Sequence, residues 1–244
     1  MQILLTLAYD GTNYGGWQRQ KNAVTVQQRL EEALESIFGD PIRAAGASRT
    51  DAGVHALGQR ASFFIEENRI PMGKLPIVIN SYLPSDIAVS CAQQVPDAFN
   101  PRFDAKEKTY EYRIWYAKFP NPLQRITSLF HPYELDVGEM KKAASAFVGE
   151  HDFSAFCSAG TLVKSRVRKV FECRVDEAAP ILTFTVRGDG FLYNMVRIIA
   201  GTLLYVGQGK IKAEDAPYII ESRNRALAGK TAPPQGLTLL EIKY

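Results

Sequence analysis

The sequence of 244 residues has few cysteines and histidines, and neither residue type forms a familiar motif. Its three cysteines, Cys91, Cys157 and Cys173, are odd in number, far apart and without a Cys-x-x-Cys pair. We therefore expect free thiols in a reducing compartment rather than a disulfide framework. The three histidines are too dispersed for a local metal motif, which leaves only their convergence in the folded chain. We expect no bound metal.

Patterns typical of nucleotide binding and of membrane proteins are also missing. The sequence has no Gly-x-x-x-x-Gly-Lys-Ser/Thr string and no Gly-x-Gly-x-x-Gly fingerprint. No apolar run approaches the length of a membrane span, and residues 1–5 include no basic residue of the kind that begins a signal peptide. We predict a cytoplasmic protein with no membrane contact, and no pattern in the sequence indicates a bound nucleotide.

What the chain does have is an ordinary globular composition with a mildly basic balance. Hydrophobic residues make up 46% and charged residues 23%, and the formal net charge is +3. The length allows two modest cores or one large core. A small positive charge is compatible with a polyanionic partner, although only clustered cations would bind phosphates well.

The first half predicts the order strand, helix, strand, strand, helix, strand. Thr25 and Gln28 form a capping-box pattern before an apolar stripe with helical spacing, and Gly39 follows the stripe as a stop. Pro76 either lies in the first turn of the second helix or kinks that helix. The predicted elements are a strand through Leu5, Leu7 and Tyr9, a helix over 26–38, strands over 43–47 and 60–65, a helix over 74–82 and a strand over 87–95.

The second half repeats this order. A cap at Asp136 precedes an apolar stripe that runs from Met140 to Val148. Both halves fit the split strand-helix-strand plan of ferredoxin-like α+β units, so we predict units 1–104 and 105–244 with a boundary near 100–108. The predicted elements are strands over 109–117, 166–175, 181–187 and 237–242 and helices over 136–148, 191–206 and 215–222.

The segment 46–56 is the most informative about chemistry. It presents Asp51 between Arg49 and Gly53 in a short loop after a strand, and such loops often carry function. An aspartate of this type and place more often only closes a turn onto the backbone, here near Gly53. The residue types of this segment fit both a catalytic and a purely structural role.

Four further segments accompany this loop in a characteristic order, and together the five cover nearly the whole chain. The five are Tyr9-Asp10-Gly11 with Gly16-Trp17-Gln18-Arg19, Arg49-Thr50-Asp51-Ala52-Gly53-Val54-His55, Lys108-Thr109-Tyr110-Glu111-Tyr112, the Phe191–Arg197 helix and Gly236-Leu237-Thr238-Leu239. They resemble the motifs of tRNA pseudouridine synthases of the TruA type, which usually have glycine where Ser48 stands.

The resemblance implies an isomerase that modifies tRNA by converting uridine to pseudouridine. It implies nucleotides 38, 39 and 40 of the anticodon stem-loop as targets and a homodimer that binds tRNA. It also implies that the two ferredoxin-like units join into one mainly antiparallel sheet with the active-site cleft between them. Since the reaction adds no atom and involves no net oxidation, it requires no redox cofactor, nucleotide or metal.

The resemblance also assigns roles to individual residues. Asp51 is the catalytic carboxylate, and Arg197 pairs with it and keeps it ionised, although an isolated arginine of this kind could also reach solvent or a structural glutamate. Tyr110 stacks on the target base, with Leu237 on its opposite side, although both are also consistent with ordinary core residues. Arg49 props open the space that the extruded base vacates. The remaining substrate-binding residues are Thr50, His55, Gln18 and Arg19.

Three other classes of function are each suggested by part of the sequence. A noncatalytic RNA-binding protein on this scaffold would not need Asp51 and Arg197 together, and both are present. A nucleoside or glycoside hydrolase usually needs two acidic groups, whereas the next acids after Asp51 are Glu66 and Glu67. His151 and Asp152 suggest a metal phosphohydrolase only weakly, because they have no local ligand partners. The synthase interpretation is favoured.

Overall fold

The structure is a computed structural model that describes residues 1–160 and 163–244. Short 3-10 turns connect several of the regular elements within this part of the chain. The strands are β1 (Gln2–Tyr9), β2 (Ala44–Gly46), β3 (His55–Phe64), β4 (Ile87–Val95), β5 (Glu107–Tyr116), β6 (Leu129–His131), β7 (Gly149–Asp152), β8 (Val167–Ala178), β9 (Ile181–Gly188) and β10 (Leu237–Lys243). The helices are α1 (Val26–Phe38), α2 (Leu75–Asn80), α3 (Val137–Ser145), α4 (Met195–Gly207) and α5 (Ala216–Ser222).

The chain divides into two compact units, Met1–Lys106 with Thr238–Tyr244, and Glu107–Leu237. The division therefore falls close to the predicted boundary between 104 and 105. The C-terminal end differs from the prediction, which assigned all of 105–244 to the second unit. Residues 238–244 lie with the first unit because β10 pairs in parallel with β3, where Thr238 is opposite His55 and Leu239 opposite Ala56.

The first unit has the strand order of a ferredoxin-like fold. β1 lies between β3 and β4 and is antiparallel to both. β2 pairs with the end of β3 near Phe63, whereas β10 pairs with its beginning at His55. β3 begins at His55 rather than at the predicted Arg60, since its first residues are defined by pairing with distant strands.

The predicted ends of α1 are confirmed. The Thr25 side chain accepts a hydrogen bond from the Gln28 backbone N–H at 3.3 Å. Gly39 follows the helix with φ of 84°, a left-handed conformation that glycine adopts without steric cost. The apolar stripe through Val26, Leu30 and Leu34 is fully buried.

The second unit contains an antiparallel series in the order β5, β9, β8, β7, and β6 pairs in parallel with β5. α3 contacts α4 and β8, and α4 contacts β5. Asp136 caps α3 by accepting the Glu139 N–H at 2.9 Å, as predicted. Val148 lies beyond the end of α3 and is 44% exposed, so its predicted place in the apolar stripe is wrong.

Three further features correct or complete the prediction for this unit. β6 and β7 were not predicted, because strands of three and four residues are too short to show a period. α4 begins at Met195 rather than at Phe191, because Asn194 has a left-handed φ of 60° that interrupts the helix there. The predicted α+β class with mainly antiparallel pairing is confirmed. Among the described residues, no helix has both the length and the apolar character needed to cross a membrane.

Candidate active site

The loop between β2 and β3 carries Asp51 in the first unit. The Val54 N–H donates to the Asp51 carbonyl at 3.1 Å, and Gly53 has φ of 77°, so the chain turns sharply just after the carboxylate. Asp51 is half-buried, whereas Arg49 is exposed. Ser48 does not have a positive φ, so the serine that replaces the usual glycine causes no strain of that kind.

Thr50 is fixed by two contacts. Its Oγ1 is hydrogen-bonded to the Tyr9 hydroxyl at 2.8 Å inside the core, and its carbonyl accepts the Trp17 N–H at 3.0 Å. The buried Thr50 side chain therefore points to β1. These contacts show that Thr50 holds the loop in place. Its predicted role in binding substrate stays a prediction.

The loop that precedes α1 packs directly against this segment, so the first two sequence motifs meet in space. Gly16, with φ of 91°, lies so close that a Cβ there would be 2.5 Å from the Thr50 carbonyl oxygen. A Cβ on Gly11 would be 2.0 Å from the Val54 carbonyl oxygen. Only glycine allows these backbone approaches. The Gly53 N–H donates to the Tyr14 carbonyl at 3.3 Å.

His55 connects the same two loops at the start of β3. Its Nδ1 accepts the Gly11 N–H at 3.1 Å and is also 3.1 Å from Asp10 Oδ1. The residue is only 5% exposed, and its Nε2 has no hydrogen-bond partner among the described residues. Burial acts to raise the pKa of Asp10, but hydrogen bonds from the Thr12 side chain and backbone outweigh it and lower this pKa.

Gln18 and Arg19 follow in the loop before α1, and both are exposed. The Arg19 guanidinium donates to Glu31 Oε2 at 2.7 Å, and Arg43 donates to the same oxygen at 3.0 Å. Glu31 is only 3% exposed and faces inward from α1. Arg19 therefore has a structural partner, which the sequence pattern did not indicate because Glu31 looked like an ordinary surface position of the helix.

Tyr110 and Leu237 are buried residues of the second unit. Tyr110 lies on β5 with 7% exposure, and the Phe191 ring meets it edge to face at 5.3 Å between centroids. Leu237 begins β10 after a 3-10 turn over Pro234–Gly236 and is 5% exposed. A base-stacking role for either residue stays a prediction.

Arg197 lies in the first turns of α4 and is held by groups of its own unit. Its Nε donates to the Ala232 carbonyl at 2.8 Å, and its Nη1 donates to Asn194 Oδ1 at 2.9 Å. Burial raises the pKa of the neighbouring Tyr112, and the Arg197 charge acts in the opposite direction. These contacts fix the plane of the guanidinium. The predicted pairing of Arg197 with Asp51 stays a prediction.

Asn194 was not singled out by the sequence, yet it supports Arg197 directly. Its Oδ1 accepts from Arg197 and its Nδ2 donates to Ser158 Oγ at 2.9 Å. Its left-handed backbone could have been suspected, because asparagine adopts this conformation more readily than most residues. The described residues contain no group of three or more His, Cys, Asp or Glu side chains that could hold a metal ion.

Comparisons with known proteins agree with these motifs. A family model described as tRNA pseudouridine synthase matches residues 6–104 and 143–244. A protein from Caldicellulosiruptor saccharolyticus named tRNA pseudouridine synthase A is 48% identical over 243 residues, which cover 99% of each chain. Proteins of the same name from Acetivibrio thermocellus and Thermoanaerobacter sp. strain X514 are each 48% identical over 242 residues, again covering 99% of each chain.

Proposed function

Since this chain belongs to the tRNA pseudouridine synthase family, we propose that it modifies uridines 38, 39 and 40 in the anticodon stem-loop of tRNA, with Asp51 as the essential carboxylate. The family membership makes the chain a tRNA-modifying isomerase. The position in tRNA and the residue roles are our proposal. The observation that carries it is the convergence of two motifs of the family on the Asp51 loop, through Gly11, Gly16 and His55.

The chemistry explains why a carboxylate is needed. The bond from ribose to N1 breaks, the base turns, and a new bond forms from the same ribose carbon to C5, after which the C5 proton leaves and N1 takes up a proton. An ionised carboxylate beside the ribose or the base edge can act as a nucleophile or a base while charge develops. We assign this role to Asp51, which lies in a loop held by backbone hydrogen bonds and is half-buried.

Arg197 is our proposed partner for Asp51. A carboxylate in a cleft closed by tRNA would tend to take up a proton, because loss of water disfavours its charged form. The guanidinium of Arg197 is held in a fixed plane by the bonds of its Nε to Ala232 and of its Nη1 to Asn194, and a planar guanidinium binds a carboxylate through two parallel N–H groups. This arrangement would hold the carboxylate ionised and limit its rotation.

The remaining roles concern the base and the RNA backbone. Tyr110 stacks on the extruded uracil and Leu237 packs on its other face. Arg49, which is exposed within the Asp51 loop, occupies the vacated space in the stem. Four more residues contribute to the surface that binds tRNA, either by direct contact or through the loops that they hold: Gln18, Arg19, Thr50 and His55. We further propose that the enzyme acts as a cytoplasmic homodimer on tRNA.

The test is a map of pseudouridines after incubation of unmodified tRNA transcripts with the purified protein alone, in EDTA and without nucleotides. We expect pseudouridine at nucleotides 38, 39 and 40 wherever these are uridine. Transcripts with cytidine at the three positions serve as the control and should remain unmodified. Pseudouridine confined to another part of tRNA would overturn the regional proposal, and a requirement for a divalent ion after tRNA folding would overturn the cofactor-free mechanism.

A further inference from the structure

Gln59 is a polar residue at the centre of the first unit, with no exposed surface. It lies on β3, where a buried amide is unfavourable unless its polar atoms form hydrogen bonds. Its Oε1 accepts the Ser48 N–H at 3.2 Å, and its Nε2 donates to the Ser48 carbonyl at 2.8 Å. The Nε2 also lies 3.4 Å from the Tyr9 hydroxyl. The side chain therefore binds both backbone polar groups of one residue in the Asp51 loop.

The amide extends the pairing between β2 and β3 beyond the end of β2. Gly46 is the last β2 residue paired with β3, opposite Ala61, and the Ala47 N–H still donates to the Arg60 carbonyl at 2.8 Å. At Ser48 the Gln59 side chain forms the two hydrogen bonds that the backbone of a paired strand would otherwise form with this residue. The loop can then leave the sheet while its first residue stays fixed.

This contact fixes the chain close to the reacting residues. Ser48 and Thr50 flank Arg49, and Thr50 is bound by the Tyr9 hydroxyl that also lies beside Gln59. With its neighbours held on both sides, the exposed Arg49 side chain projects outward, and Asp51 follows from a defined backbone. A preorganised loop avoids ordering on binding and keeps the reacting group in a productive geometry.

We propose that Gln59 is a positioning residue for the isomerisation, which sets the direction of Asp51 and Arg49 by holding the backbone of Ser48. The inference rests on the proposed function of Asp51. It assigns no contact with substrate to Gln59, which is completely buried. Its effect should therefore appear in the rate of the chemical step rather than in the affinity for tRNA.

The experiment compares wild type with Gln59→Met, in which a side chain of similar length lacks both amide groups. Single-turnover rates at saturating enzyme and the Kd for tRNA are measured well below the melting temperature. We expect the rate to fall about tenfold or more while Kd stays within about threefold. The control is Phe63→Leu, a buried residue of the same strand that packs on Phe38, and it should lower Tm without changing the rate.

Tyr9→Phe provides a second variant that conserves volume and removes the hydroxyl shared by Gln59 and Thr50. It should reduce the rate in the same way, and it carries the test if Gln59→Met does not fold. Unchanged single-turnover rates in the folded variants, or equal rate losses in Phe63→Leu, would overturn the inference. If wild type itself forms no pseudouridine in tRNA, the proposed function fails instead, so the two failures are distinguishable.

Discussion

Asp51 is the residue on which the proposed chemistry depends. Its backbone is bracketed by hydrogen bonds at Thr50 and Gly53, so replacement by Ala should remove the carboxylate without releasing the loop. We expect Asp51→Ala to lose several orders of magnitude in turnover, while the Kd for tRNA changes by less than about tenfold, or about 1.4 kcal/mol. Single-turnover assays and tRNA binding measure the two quantities. Appreciable pseudouridine formation by Asp51→Ala would contradict the assignment.

Arg49 should affect a different step. Its exposed side chain is two residues before Asp51, and we expect it to stabilise the stem after the base has left. Arg49→Ala should slow the reaction strongly on a stem-loop with a paired target uridine and much less where that uridine is mismatched, since a mismatched base is already easy to extrude. Arg49→Lys serves as the control that keeps the charge. Equal slowing on both substrates would exclude the extrusion role.

We expect Arg197 to act through the ionisation of Asp51, the proposed catalytic carboxylate. Arg197→Lys keeps a positive charge but cannot reproduce the bonds of Nε to Ala232 and of Nη1 to Asn194 with the same planar group. We expect a partial loss of rate and a shift of the acidic limb of the pH-rate profile to higher pH. The reason is that an ammonium group binds the carboxylate less tightly than the planar guanidinium does, so the charged form of the acid is less stabilised. A variant with wild-type rate and wild-type pH profile would show that Arg197 is not the partner.

For single residues, the sequence identified those whose chemistry differs from that of their neighbours along the chain. Asp51 and Arg49 lie in one short motif, and Arg197 is a charge within an apolar helix. Gln59, Glu31 and Asn194 could not be identified in this way, because their importance comes from partners that are distant in sequence or from an unusual backbone angle. A buried amide on a strand resembles any other polar residue until its neighbours are known.

At the scale of elements, local capping patterns predicted helices more accurately than alternation predicted strands. Thr25 and Asp136 begin α1 and α3 as expected, because a cap depends on residues within one turn. The start of β3 and the existence of β6 and β7 depend on pairing with distant segments. The predicted helix before Met195 failed because Asn194 adopts a left-handed conformation.

Asp152 connects β7 with the 3-10 turn Phe153–Phe156 and gives this junction a dependence on pH. Its carboxylate accepts the Ser154 N–H at 3.0 Å and lies 3.2 Å from Arg223 Nε. Hydrogen bonds from Ser154, with help from Arg223 and Arg166, lower its pKa despite burial. We expect Asp152→Ala to reduce the free energy of unfolding by about 1 kcal/mol at pH 7.

The sign of the pH effect follows from the lowered pKa. The charged carboxylate stabilises the fold above its unfolded pKa of about 3.9, and this contribution is lost as the pH falls through the still lower folded value. The difference between wild type and Asp152→Ala should therefore shrink below about pH 4. Asp152→Asn, which keeps a capping oxygen, is the control and should be less destabilised. Denaturant unfolding at pH 7 and in acid measures these differences, and a gap that widened in acid would contradict the prediction.

At the scale of the whole molecule, the C-terminal residues Thr238–Tyr244 pack into the first unit. The Tyr244 hydroxyl donates to the Pro101 carbonyl at 2.9 Å, across 143 positions of sequence. Its ring lies 4.9 Å from the Phe99 ring and 5.6 Å from the Arg60 guanidinium, measured to the ring centroid. Periodicity along the chain could not reveal this closure, because it depends on contacts between segments that are far apart in sequence.

We therefore expect Tyr244→Ala to destabilise the first unit by about 1–2 kcal/mol, through the loss of ring packing and of one hydrogen bond. Tyr244→Phe keeps the ring and should retain most of the stability. Hydrogen exchange should locate the effect, with faster exchange in the segment 95–106 and in β3, which contain the partners of Tyr244. If Tyr244→Ala were as stable as wild type, or if exchange increased only within residues 107–237, the C-terminal residues would not stabilise the first unit in the way the contacts require.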